Sequence, residues 1–266
     1  MKEPIISLLN RENIADFNHL MRYFKAQGYM NYRINAIPDN EKMKIPWTQY
    51  SNLYAIDEWI FFKSMNYKGR LYGFGPSPPD QFSLAYAHNY IKNQGKKPFT
   101  LFFITQSSHS PFISPDTIAD NWEHLNEGIM EKKKRSVFFR KPTVDDYTKA
   151  IRYQIMMLTD YILKFGEEND VFILIGDHQP PLITNGKNDG FETPIHIICK
   201  NEALIKQFEN LGFNRGLEIT DRTNTMKHEG FYPIFMKAFL SEYGKPGNSL
   251  PVISNPSATN QTHITE

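Results

Sequence analysis

At 266 residues the chain is long enough to bury a substantial core, and its 30 Lys and Arg against 29 Asp and Glu leave a formal net charge of +1. Such a balance sets up no net field to gather nucleic acid or an anionic membrane surface, so neither is expected as a partner. No stretch reaches the roughly 20 apolar residues of a spanning helix, and the N-terminus lacks a signal-peptide core; as written, the chain reads as soluble. The single cysteine, Cys199, lies in an apolar run and reads as a packing residue.

In chain order, Asn13 and Asp16 resemble a capping box, and Ile14, Phe17, Leu20, Met21 and Phe24 recur at helical spacing up to Gly28. Met30, Tyr32, Ile34 and Ala36 then alternate with Asn31, Arg33 and Asn35, which predicts a strand with one wetter face. Residues 38 to 80 show no clean period and read as a functional loop or lid that includes Trp47 and the run Gly73 to Pro79. Asp80 stands where it can cap a helix running toward Gly95. An apolar strand, Phe99 to Thr105, follows, and it ends in Gln106-Ser107-Ser108-His109-Ser110-Pro111-Phe112.

Lys132 to Arg135 reads as a solvated basic loop. Thr143 and Asp146 form a second capping box, and Val144, Tyr147, Ile151, Ile155, Leu158, Ile162 and Phe165 keep helical spacing until Gly166. Val171 to Ile175 is an unbroken apolar run, the pattern of a strand buried on both faces, and Gly176-Asp177-His178 comes directly after it. Ile195 to Cys199 predicts a further strand. Helices follow from Asn201 to Gly212 and from Phe231 to near Gly244. Strands alternate with helices, so the predicted fold is α/β, a mostly parallel sheet sandwiched by helices, as one domain over 1–245 with a disordered tail over 246–266.

In open parallel sheets ligands bind beyond the carboxyl ends of the strands, which makes Asp177, His178 and His109 the candidate site residues. A carboxylate beside an imidazole at a turn suits a divalent metal, and equally suits an Asp–His hydrogen bond that only organises the turn. If the two strands are neighbours, all three side chains share one crevice. Ser107 and Ser108 lack the Gly-x-Ser-x-Gly surroundings of an activated serine.

Taken in order, Lys25-Ala26-Gln27-Gly28-Tyr29, the Gly75 to Phe82 loop with Pro78-Pro79-Asp80-Gln81, Ser108-His109-Ser110-Pro111-Phe112, the Tyr147 to Phe165 helix and Gly176-Asp177-His178 resemble a known family. It is the sulfatase-like branch of the alkaline phosphatase superfamily, especially the bacterial lipoteichoic acid synthases and phosphoethanolamine transferases. The resemblance runs over roughly residues 15 to 245. It implies metal-dependent hydrolysis or transfer at a phosphate or sulfate ester. Asp177 and His178 would be ligands of a divalent metal (Zn, Mn or Ca), and His109 would meet the substrate's anionic group or leaving oxygen. It further implies a substrate-lining role for Trp47, an additional site histidine in His228, and a small anionic ester, glycan or lipid headgroup as substrate. Relatives are commonly membrane-anchored with this domain outside the cytoplasm.

The family's nucleophile, a Thr or Ser, lies ahead of the helix that here begins near Asn13. The residues before it offer Ser7 as their one hydroxyl, so the chain is expected to lack the nucleophile. It then reads either as the carboxyl-terminal part of a longer enzyme or as a non-catalytic module that binds anions or glycan esters.

Overall fold

The computed structural model describes residues 18–38, 47–73, 75–95, 97–127, 141–180, 183–184, 190–217 and 225–245. The capping box at Asn13, the basic run from Lys132 and the tail from residue 246 lie outside them. The chain divides into two units, Met1–Gly166 with Pro180–Gly190, and Glu167–Gln179 with Phe191–Glu266.

The first unit is built on a three-stranded parallel sheet in the order β2-β1-β3, where β1 is Met30–Asn35, β2 is Glu58–Phe61 and β3 is Phe99–Phe103. Ile34 of β1 stands opposite Ile60 on one side and Phe103 on the other. The helices are α1 (Leu20–Ala26), α2 (Trp47–Tyr54), α3 (Phe62–Met65), α4 (Asp80–Asn93) and α5 (Val144–Phe165). The two-residue period of β1 sends Tyr32 and Ile34 into a core shared with Ile60, Phe82, Ile91 and Met157.

The other face of β1 is polar in composition yet covered. Asn31 is fully buried and fully satisfied, because its amide donates to the Met21 and Ala55 carbonyls and accepts from the Thr100 hydroxyl. The Arg33 guanidinium lies 4.7 to 4.9 Å from the ring centres of Tyr54, Trp59 and Phe102. The wetter face expected from alternation is therefore roofed by aromatic rings. Two of those rings, Tyr54 and Trp59, come from the stretch expected to be a loop, which instead forms α2, β2 and α3; the third, Phe102, comes from β3. A four-residue strand beside an eight-residue helix is too short for either period to show.

Helix α5 keeps the predicted start and stop, but the stripe it buries differs from the predicted one: Val144 and Ile155 are exposed, and Tyr147, Ile151, Leu158, Ile162 and Phe165 are half-buried. Thr143 and Asp146 form the reciprocal capping box, and Ala150, Tyr153, Gln154 and Met157 make the buried stripe. Gln154 is the exception to that stripe's apolar character: it is 6% exposed, and neither of its amide atoms has a hydrogen-bond partner among the described residues. Gln154→Leu is therefore expected to stabilise the fold by about 1 kcal/mol, read as a rise of a few degrees in thermal midpoint. A lowered midpoint would show that the amide is satisfied in solution.

The second unit contains β4 (Val171–Ile175) paired antiparallel with β5 (Ile195–Cys199), helices α6 (Glu202–Asn210) and α7 (Phe231–Tyr243), and a single 3-10 turn at His228–Gly230. Phe208 and Phe235 pack with ring centres 5.8 Å apart and, with Leu204, form the centre of its helical layer. The first four residues of β4 are half-buried and Ile175 is exposed, short of the two-faced burial predicted from its composition. Among the described residues β4 has one partner strand, so each of its side chains has one lateral neighbour rather than two. Burial pushes the Cys199 thiol up, consistent with a packing role. No helix among the described residues is long and apolar enough to cross a membrane.

Candidate functional site

The segment after β3 folds through two successive turns, with the His109 N–H on the Gln106 carbonyl at 3.2 Å and the Phe112 N–H on the His109 carbonyl at 2.8 Å, a hairpin-like loop on which His109 is exposed. Its ascending foot is held by Asp80, the first residue of α4. Pro79 occupies the cap position of that helix and makes no side-chain bond to it; the Asp80 carboxylate turns inward instead. Completely buried, it accepts the Gln106 backbone N–H at 3.0 and 3.1 Å on its two oxygens and the Ser107 N–H at 2.8 Å. Burial pushes this carboxyl up to about 6, and the N–H bonds from Gln106 and Ser107 hold it from going higher.

A neighbouring side chain of the same helix turn, Gln81, clamps Ala119 through both amide atoms at 2.7 and 2.9 Å. Gly73 backs the hairpin from another direction: a Cβ there would lie 2.6 Å from the Gln106 carbonyl oxygen, and its φ of +64° also favours glycine. The descending foot is Phe112, buried with φ +59°, its ring 5.2 Å from that of Tyr147. Between the feet, His109 Nδ1 lies 2.7 Å from the Ser110 carbonyl oxygen. A carbonyl only accepts, so Nδ1 carries the proton and Nε2 is the acceptor nitrogen of the neutral ring.

The turn after β4 belongs to the second unit and is locked by Thr193. The Gly176 N–H donates to the Pro194 carbonyl at 3.0 Å, and the Thr193 hydroxyl donates to the Gly176 carbonyl at 2.7 Å. Gly176 is required there, since a Cβ would approach Thr193 Cβ to 2.9 Å. Thr193 Oγ1 also lies 3.3 Å from His228 Nε2. Its one proton is committed to Gly176, so the histidine donates and His228 is left with Nδ1 as its acceptor.

Asp177 and His178 follow directly on this turn, both exposed. Asp177 Oδ1 accepts the His178 backbone N–H at 2.9 Å, and His178 Nδ1 donates to the Gln179 carbonyl at 2.9 Å. The remaining nitrogen, Nε2, then faces Asp177 Oδ2 at 3.4 Å. Two acceptors in that position repel unless a cation or a second ring proton lies between them. The donor types, a carboxylate and an imidazole oriented by a backbone carbonyl, fit a divalent cation. Among the described residues no group of three or more His, Cys, Asp or Glu side chains is placed to hold a metal ion.

The predicted site residues thus fall into two sets. Asp177 and His178 are adjacent, and His228 is fastened to their turn through Thr193; His109 belongs to the first unit. Trp47 starts α2, is half-buried and packs its ring 4.8 Å from Trp59 and 5.1 Å from Phe61. Sequence reasoning gave Thr193 no site role and read Asp80 as a helix cap within the Pro78-Pro79-Asp80-Gln81 motif. The signals available were a Thr-Pro pair before a strand, and an acid inside a helix start that already has a proline at its cap.

A family model described as Sulfatase matches residues 8–199, more than half of the chain. The chain belongs to the sulfatase family. The matched span includes the His109 hairpin, Asp177, His178 and Thr193, and it ends before His228. Among solved structures, this sulfatase-family chain is similar to the lipoteichoic acid synthase LtaP from Listeria monocytogenes, at 17% identity and a TM-score of 0.45, over 68% of this chain and 42% of that one. It is also similar to a protein in the alkaline phosphatase superfamily from Vibrio parahaemolyticus, at 22% identity and a TM-score of 0.47, over 73% of this chain and 44% of that one. The sulfatase-family chain therefore spans less than half the length of either solved chain. No curated protein matches it.

Proposed function

We propose that this sulfatase-family chain acts, by itself or as part of a longer enzyme, in metal-dependent hydrolysis or transfer at a phosphate or sulfate ester. The substrate is a small anionic ester, a glycan ester or a lipid headgroup. The observation that supports the reading is the carboxylate and imidazole brought together after β4, Asp177 Oδ2 and His178 Nε2 at 3.4 Å, in a chain that the sulfatase family model matches across that turn.

In this reading Asp177 and His178 hold the cation, and His228 is a further candidate donor through Nδ1. When bound, a divalent cation supplies Lewis acidity toward the ester oxygens. The chain's own contribution is orientation. Gln179 keeps the His178 proton on Nδ1, and Thr193 keeps that of His228 on Nε2. His109 meets the anion: in its imidazolium form Nε2–H donates a charge-assisted bond to an ester oxygen, while Nδ1–H stays on Ser110. The reading assigns no nucleophile to the described residues. Ser107 is buried with its N–H on Asp80, and Ser108 shares its hydroxyl with Thr105 at 3.4 Å.

The test is release of phenol from aryl phosphate and aryl sulfate, and calorimetric binding of inorganic phosphate, with manganese, with zinc and with chelator. Cation-dependent turnover or binding that weakens in His109→Ala supports the reading. Binding without turnover assigns the chain to the second possibility, a non-catalytic module for anions or glycan esters. Absence of both, with cation present, overturns the proposal.

A further inference from the structure

A carboxylate in the interior needs a reason, since an apolar residue would fill the same space without desolvating a charge. Asp80 does not cap its own helix, which already has Pro79 at that position. Its hydrogen bonds go instead to Gln106 and Ser107, across 26 and 27 residues of chain. Those residues are the ascending foot of the hairpin-like loop that carries His109. The opposite foot is pinned by the Phe112 ring against Tyr147, and the Phe112 N–H returns to the His109 carbonyl at 2.8 Å. With both feet fixed, the His109 backbone has little freedom, and its ring is oriented by Ser110.

We infer that Asp80 is the positioning residue for His109: its carboxylate, anchored on the rigid start of α4, sets where the imidazole is offered to an anionic ester. The inference rests on the reading of His109 given above. It places the function of a buried acid in backbone hydrogen bonds to the hairpin, with no contact to substrate. The ligand class it serves is a tetrahedral oxyanion, phosphate or sulfate.

Asp80→Asn preserves shape while presenting an amide N–H to backbone N–H groups. In hydrogen–deuterium exchange the peptide spanning 104–113 is expected to exchange on the order of tenfold faster, as loss of charge-assisted bonds implies, while β1 keeps its protection. The His109 imidazole resonances should shift or broaden, and affinity for inorganic phosphate should fall about tenfold without a matching loss in cation affinity. Gly73→Ala pushes on the Gln106 carbonyl from the other side and should mobilise the same peptide; it decides the matter should Asp80→Asn fail to fold. Unchanged exchange over 104–113 and unchanged His109 resonances in the folded variants would overturn the inference. Phosphate affinity indifferent to His109→Ala would instead sink the anion reading, and leave exchange and resonances alone to judge the hairpin's anchor.

Discussion

Asp177→Asn is expected to lower affinity for manganese or zinc by on the order of a hundredfold, since even the outer partners of metal ligands are worth about ten- to a hundredfold. The substitution keeps an oxygen for the His178 backbone N–H but removes the charge that faces Nε2 at 3.4 Å. Whatever anion chemistry depends on the cation falls with it. His228→Ala separates the roles of the neighbouring residues: it removes that imidazole while keeping the Thr193 hydroxyl on the Gly176 carbonyl, which holds the turn before Asp177 and His178. A loss as large as that of Asp177→Asn would make His228 a ligand in its own right, and a small one would leave it a supporting residue. Titration calorimetry on the two variants reads both effects. Equal cation affinity in Asp177→Asn and the parent chain would remove the metal from the proposed function.

Lowering the pH from about 6.5 to about 3.5 should raise the stability of the parent chain relative to Asp80→Asn by roughly 3 kcal/mol. The carboxyl's ordinary value is 3.8, and in the folded chain burial raises it to about 6. Between those values the folded state holds a proton that the unfolded state has released, so stability falls as pH rises through the window. Its contribution is fully present below the unfolded value and lost above about 6. At neutral pH the ionised carboxylate is thus less favoured in the folded chain than its protonated form would be at low pH, while its hydrogen bonds to Gln106 and Ser107 remain. Urea midpoints of the two proteins, compared across this pH range, measure the difference. A gap that does not change with pH would mean that Asp80 titrates near its ordinary value.

The helix Val144–Phe165 shows how far local chemistry reaches. Its capping box and its stop at Gly166 are written in neighbouring residues and appear in the structure, while the face it buries, Ala150, Tyr153, Gln154 and Met157, is set by what packs against it. The strand Met30–Asn35 was legible from its alternation, and Phe99–Phe103 and Val171–Ile175 from their short apolar runs. The stretch from 47 to 65 was not, because its elements are too short to repeat a pattern and its aromatic residues find their partners across the sheet.

Asp177, His178 and His109 were candidates from sequence because polar residues directly after apolar runs stand out locally. Asp80 and Thr193 did not stand out, since each acquires its meaning from a partner 26 or 35 residues away. The pairing of β5 antiparallel to β4 is of the same kind: the apolar run specifies a strand, while its direction follows from the path of the chain. By itself the sequence determined which segments become helix or strand and which polar residues end them, because those depend on neighbours within a turn or a pleat. Only the tertiary structure decided which buried acid holds which loop and which hydroxyl fastens which histidine. A hydrogen bond requires two groups to meet within about 3 Å, and that proximity is a property of the folded path.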